Sequence, residues 1–257
     1  MAAPLAPREG RGRGTPAPAV AGASGGASGG ASVLDRTRHA APQVFDRLRD
    51  MIVALVLAPG AVLSRPDLAR QFGVSQTPVR EALIRLAEEG LVDIFPQHAT
   101  KVSRINLTAA RQAHFLRRSL ELEIVRTLAE QGAAGATSVV QDLQALVDQQ
   151  HLALEASDLA RFSALDQRFH RRMYEAAGVE DLWHLQRRLS GHIDRLRSLH
   201  LPLLGKATTI LADHQGIIDA IAAGDGAAAQ ARLRQHLSGT LARIEDISAR
   251  FPDYVRA

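Results

Sequence analysis

Asp166 and His170 stand four residues apart in the segment FSALDQRFHRRMYEAAG, a spacing that puts a carboxylate and an imidazole on one face of a helix. Phe169 and Met173 share that face, so both polar groups are expected to point inward. His214 lies one turn from Ile210, Ile217 and Ile218, and His236 is flanked by Leu233 and Leu237, which sets each ring at the edge of an apolar stripe. One carboxylate and three imidazoles converging on a helical core are suitable ligands for Zn, Ni, Mn or Fe, with positions left for water or a small anion. Taken singly, each of the four is better explained as a core polar group satisfied by hydrogen bonds; together they point to a ligand set. The chain has no cysteine, so a disulfide, a thiolate zinc site and a cysteine nucleophile are excluded, and any metal must be held by nitrogen and oxygen.

Positioning such groups takes long helices. From Thr108 to Ala249 amphipathic segments alternate with breaks near Gly132 to Gly135, Gly178, Pro202 to Gly205 and Gly224 to Gly226, which predicts a bundle of six or seven helices and no strand. A composition 46% hydrophobic but only 4% aromatic, dominated by Leu, Ala and Arg, agrees with a mainly α protein. Residues 1–38 are rich in Gly, Ala, Pro and Ser, as in GASGGASGGAS, and read as a disordered, solvated tail. Its Arg8, Arg11 and Arg13 are followed by no apolar segment of the secretory type, and the longest apolar run, Met51 to Ala58, falls well short of the roughly 18 to 20 residues that cross a bilayer. A cytoplasmic chain without a membrane partner is expected. The net charge of +4 is too small to imply nucleic acid by itself.

Location carries that argument instead. Val44, Leu48, Met51, Ile52 and Leu55 recur at helical spacing, and a short helix, Pro66 to Phe72, is closed by Gly73. A second helix follows, with Thr77 placed to cap it, Pro78 at its first position and Val79, Ala82, Leu83 and Leu86 as its buried stripe. Leu91 to Phe95 and Thr100 to Ser103, joined by Pro96-Gln97-His98-Ala99, then read as a small hairpin. Two short helices followed by a hairpin describe a winged helix-turn-helix, whose second helix enters the major groove. Its N-terminus offers Ser75, Gln76 and Thr77, with Arg80 one turn further in, to phosphates and base edges.

The run PGAVLSRPDLARQFGVSQTPVREALIRLAEEGLVDIFP, with VSQTPVREAL at its centre, resembles the DNA-binding signature of the GntR regulator family. The resemblance implies a double-stranded DNA operator contacted by Arg65, Ser75, Gln76, Thr77 and Arg80, with Lys101 in the wing on phosphate and His98 at its tip. Three positions depart from the family pattern. Gln76 replaces a common arginine, which exchanges a bidentate guanine contact for an adenine one; Arg65 replaces a common Glu; and Ala99 stands where the wing tip often has Gly. The winged unit is placed at 39–105 and the helical domain at 108–250.

In that domain FSALDQRFHRRMYEAAG, ADHQGIIDAIAAGD and ARLRQHL resemble the FCD ligand domain of the FadR subfamily, over roughly residues 108 to 245. The resemblance implies one divalent metal on Asp166, His170, His214 and His236, and an effector carboxylate held by Arg117 in FLRRSLELE. His192 and Arg195, on a helix with Leu189 and Leu196, are expected to add to that pocket, while Arg117 can instead form an ordinary surface pair with Glu121 at i+4. The whole reads as a regulator, by default a repressor, that binds a small carboxylate metabolite. A homodimer would match an operator of two half-sites. Ile105 to Thr108, between the domains, would transmit the signal. The alternative is a metal-dependent enzyme with an accessory DNA-binding module, though no glutamate stands near His170 or His214 at a spacing such as HExxH. A constitutive architectural DNA binder would leave the Asp/His group without purpose.

Overall fold

A computed structural model describes residues 34–203 and 205–256, apart from the side chains of 132–136. Helix α1 (Ala40–Val53) forms where Val44, Phe45, Leu48 and Ile52 recur on one face, and that face is buried. Helix α2 (Arg65–Phe72) begins at Ser64, whose hydroxyl accepts from the Asp67 N–H at 3.4 Å, and ends at Gly73, left-handed at φ 65°. Helix α3 (Gln76–Glu88) lays Val79, Ala82, Leu83 and Leu86 against α1. Its N-cap is Ser75 and not Thr77, so Pro78 is the third helical residue. A missing N–H costs nothing there either, because the first N–H groups of a helix have no partner within it. Strands β1 (Val92–Phe95) and β2 (Ala99–Val102) pair antiparallel, Val92 opposite Val102 and Phe95 opposite Ala99.

Most of the expected tail lies outside the described residues, but its last part is structured. Leu34 is buried in the winged-helix core, and Gln43 accepts from the Asp35 N–H at 2.8 Å. A single apolar residue after a Gly/Ser-rich run leaves no periodic signal in the sequence.

Strand β3 (Ile105–Asn106) leads into α4 (Leu107–Glu130), where Asn106 Oδ1 accepts from the Ala109 N–H at 2.9 Å. There follow α5 (Gly132–Glu155), α6 (Leu159–Ala176), α7 (Glu180–Leu189), α8 (Gly191–His200), α9 (Lys206–Ala222), α10 (Gly226–Leu241) and α11 (Ile244–Arg250). Among the described residues, eight helices thus stand where six or seven were expected. The joint between α7 and α8 was hidden because Ser190 stays in the right-handed region, φ −79° and ψ −12°, with no proline to mark it. Val125, Leu128, Phe162, Phe169, Met173 and Ile217 form the core of this bundle. A last strand, β4 (Val255–Arg256), returns to pair in parallel with β3, Ile105 opposite Val255. Two-residue strands carry no readable period.

Candidate functional site

Asp166 and His170 project from α6, His214 from α9 and His236 from α10, all four buried, with one ligand atom of each within 4.8 Å of the others. His170 Nε2 and His236 Nε2 are 3.2 Å apart, and His214 Nε2 is 3.6 Å from Asp166 Oδ1. The opposite ring nitrogens face acceptors: His170 Nδ1 lies 2.9 Å from Glu121 Oε2, His214 Nδ1 lies 2.9 Å from Gln150 Oε1, and His236 Nδ1 lies 3.5 Å from Asp213 Oδ2. Phe169 stacks on His214 with centroids 4.0 Å apart and planes within 6°. His214 is therefore held from outside by a hydrogen bond to Gln150, while His170 and His236 have a carboxylate close to Nδ1 without forming a hydrogen bond to it.

Two atoms at that centre, Asp166 Oδ1 and His214 Nε2, are buried without a hydrogen-bond partner among the described residues. Burying polar atoms unpaired costs roughly 1 to 3 kcal/mol each, so a core satisfied only by its own hydrogen bonds is a poor account of the group. A divalent cation at that centre would satisfy all four at once, and the donor set fits one. The electrostatics agree. Burial, then Arg117, holds His170 down to about 4, and burial holds His214 well below its ordinary value, so both rings keep a free lone pair at neutral pH. Burial alone would raise Asp166, but Arg197 and then His170 outweigh it and keep the carboxylate ionised.

Beside this centre lies a cavity of about 480 Å³, walled by Arg117, Arg197 and Lys206 together with Phe162, Ile210 and Leu237, and reaching Val53 and Ala54 at the end of α1. Arg117 does pair with Glu121, Nε to Oε1 at 2.8 Å, but at 5% and 0% exposure the pair is buried and not a surface one. Glu121 thus binds Arg117 with one oxygen and approaches His170 with the other. Burial would raise its carboxyl, yet Arg117 and His170 bring it down to about 2.

His192 and Arg195 are not brought to the cavity. Arg195 donates to the Ser103 carbonyl at 2.7 Å, and His192 Nδ1 accepts from the Asn106 N–H at 3.1 Å and meets Arg195 Nη2 at 2.8 Å. Both clasp the segment joining the two domains. The face of α8 turned to the cavity carries Asp194 and Arg197 instead, and Arg197 Nη2 donates to Asp166 Oδ2 at 2.5 Å. Helical phase was the available signal: residues 194 and 197 share a face that 192 and 195 do not. Gln150 and Asp213 carried no such signal, since each acts from a different helix than the histidine it approaches.

At the other end of the chain, Arg65, Ser75, Gln76, Thr77, Arg80, His98 and Lys101 are all exposed, at the starts of α2 and α3 and on the hairpin. Among the described residues, the winged-helix unit commits Arg49 to Glu89 and Arg70 to Asp67, which leaves Arg65, Arg80 and Lys101 without an ion pair. The positive φ at the hairpin turn, 61°, falls on Gln97. Ala99 is already the first residue of β2, so glycine is not required there.

A winged helix-turn-helix with exposed, unpaired cations at the starts of α2 and α3 and on its hairpin, joined to a helical domain with a buried polar centre and a cavity, is the architecture of a DNA-binding transcription regulator. A family model described as bacterial regulatory proteins, gntR family, matches residues 40–102, and the FCD domain model matches 112–239. An HTH-type transcriptional regulator from an unstable DNA locus of Streptomyces ambofaciens is 37% identical over 82% of this chain and 87% of its own length. The HTH-type transcriptional repressor RspR of Escherichia coli K12 is 30% identical over 86% and 96%. The solved structure of E. coli McbR/YncC, at 22% identity, shares the fold with a TM-score of 0.70 over 81% of this chain and 98% of that one. The chain belongs to the GntR family and carries an FCD domain. Its relatives are regulators, which sets aside the metal-dependent enzyme.

Proposed function

We propose that this protein is a metabolite-responsive repressor that binds a two-half-site operator as a cytoplasmic homodimer and leaves it when a small carboxylate binds beside a divalent metal. The supporting observation is the pair of buried, unpartnered atoms Asp166 Oδ1 and His214 Nε2 at the edge of a cavity walled by arginines. Asp166, His170, His214 and His236 hold the ion, of the class Zn, Ni, Mn or Fe. When bound, it supplies an open position for one carboxylate oxygen. Arg117 and Arg197 offer charge-assisted hydrogen bonds to the remainder of the anion, and Phe162, Ile210 and Leu237 pack on its apolar part.

On DNA, Arg80 and Gln76 read base edges, while Arg65, Ser75, Thr77, Lys101 and His98 position the unit on phosphate. Repression agrees with the role of the relative RspR, a transcriptional repressor. Selection of operator sequences with the full chain, followed by titration of the bound complex with a panel of small carboxylates, tests the reading. A palindromic site released by one or a few carboxylates is expected, with release lost in Arg117→Ala. An asymmetric site, or a complex that no carboxylate in the panel affects, would oppose it.

A further inference from the structure

A run of charged and polar groups leads from Asp166 to the end of the recognition helix. Asp166 has one oxygen at the polar centre, Oδ1, and gives the other to Arg197. Arg197 Nη1 lies 3.7 Å from Asp194 Oδ1. Asp194 Oδ2 accepts from Ser190 Oγ at 2.6 Å and from Arg187. Arg49, on α1, has its Nη2 on the Arg187 carbonyl at 2.6 Å and 3.4 Å from Ser190 Oγ, and donates through Nε to Glu89 Oε2 at 2.9 Å. Glu89 is the residue that ends α3. Asp194, Ser190 and Arg49 are all buried, so their interactions are little screened by solvent.

We propose that this run, Asp166–Arg197–Asp194–Arg187/Ser190–Arg49–Glu89, carries the occupancy of the Asp166 carboxylate to the C-terminal end of the recognition helix, with α8 as its middle section. The inference rests on the reading of Asp166 as a metal ligand and names how that site regulates. Asp166 has a single charge to share. What Oδ1 gives to a ligand at the centre, Oδ2 no longer offers to Arg197, which then turns toward Asp194. Asp194 must divide its charge among Arg197, Arg187 and Ser190, and the grip of Arg49 on Glu89 loosens. The surroundings favour transmission over local relaxation. A Cβ at Gly191 would lie 2.5 Å from Leu91 Cδ2, so α8 packs directly on the turn that follows the recognition helix. Ser103, held by Arg195, donates its hydroxyl to the Gly90 carbonyl at 2.6 Å, which ties the same corner a second time.

Hydrogen exchange of the full chain, stripped by chelator and then loaded with Zn(II) alone, tests this without operator or effector. Zn(II) stoichiometry is measured on the same samples. In the parent, loading is expected to speed exchange of the amides of 86–91 by about fivefold or more, the low end of ordinary coupling between sites. In Asp194→Asn and in Glu89→Gln the stoichiometry stays the same and that response disappears. Glu89→Gln, at the partly exposed end of the run, decides the matter if Asp194→Asn does not fold. Zn(II) bound with exchange at 86–91 unmoved, or moved equally in the variants, overturns the relay and leaves the metal centre standing. A chain that takes up no Zn(II) overturns both.

Discussion

Arg80 sits one turn into α3, exposed and without an intramolecular ion pair among the described residues, so its loss should remove a DNA contact and nothing of the fold. Arg80→Ala is expected to weaken specific operator binding by about 1 to 3 kcal/mol with an unchanged melting temperature, measured by titration at fixed salt. Equal affinities would remove Arg80 from the interface. Gln76→Arg, at the start of the same helix, should shift preference toward guanine at one position in each half-site. Identical consensus sequences from parallel selections would count against that contact. In the bundle, Gln150 Oε1 orients His214, and Gln150→Leu removes the acceptor while nearly keeping volume. Metal affinity should fall about 10- to 100-fold in competition with a chromogenic chelator, and an unaltered affinity would show that Phe169 stacking alone fixes the ring.

At the scale of elements, α8 divides its residues between two neighbours, Asp194 and Arg197 toward the cavity and His192 and Arg195 toward the segment at 103–106. His192 Nδ1 accepts from the Asn106 N–H, so that clasp needs the neutral ring. Burial, then Arg195, depresses its pKa from 6.5 to about 3. The unfolded chain therefore takes up the proton first, and stability is lost as pH falls from 6.5 toward 3. Between pH 8 and 5.5 the chelated parent should lose about 1.4 kcal/mol more than chelated His192→Asn, which keeps an acceptor but no titration in this range. Denaturant unfolding at the two pH values measures this, and parallel losses would show that His192 is not held neutral.

These elements also show what a sequence reveals. The recognition helix and the buried Asp/His quartet were legible because apolar periodicity fixes which side of a helix each residue takes, and Asp166, His170, His214 and His236 all lie at its edge. The clasp of His192 and Arg195 was not, because α8 is buried on most sides and its polar residues have two places to go. Nor was the return of β4 to β3, a pairing of two residues across most of the chain.

Among the described residues, one core lies under the recognition helix and one around the polar centre, and between them a third, built on Ile105, Ala110, Ile193, Leu196, Ile244 and Ile247, includes α8 and the Ile105–Asn106 strand. A ligand can regulate DNA binding only by binding the DNA-competent and incompetent arrangements with different affinity. The central claim is that the second core is built around a metal. Elemental analysis of the full chain after metal-replete expression, with melting curves before and after chelation, tests it most directly. About one divalent ion per chain is predicted, with a fall in melting temperature of about 5 to 10 °C on chelation and neither ion nor fall in His214→Ala. A parent chain without metal, whose melting curve a chelator leaves in place, would contradict it.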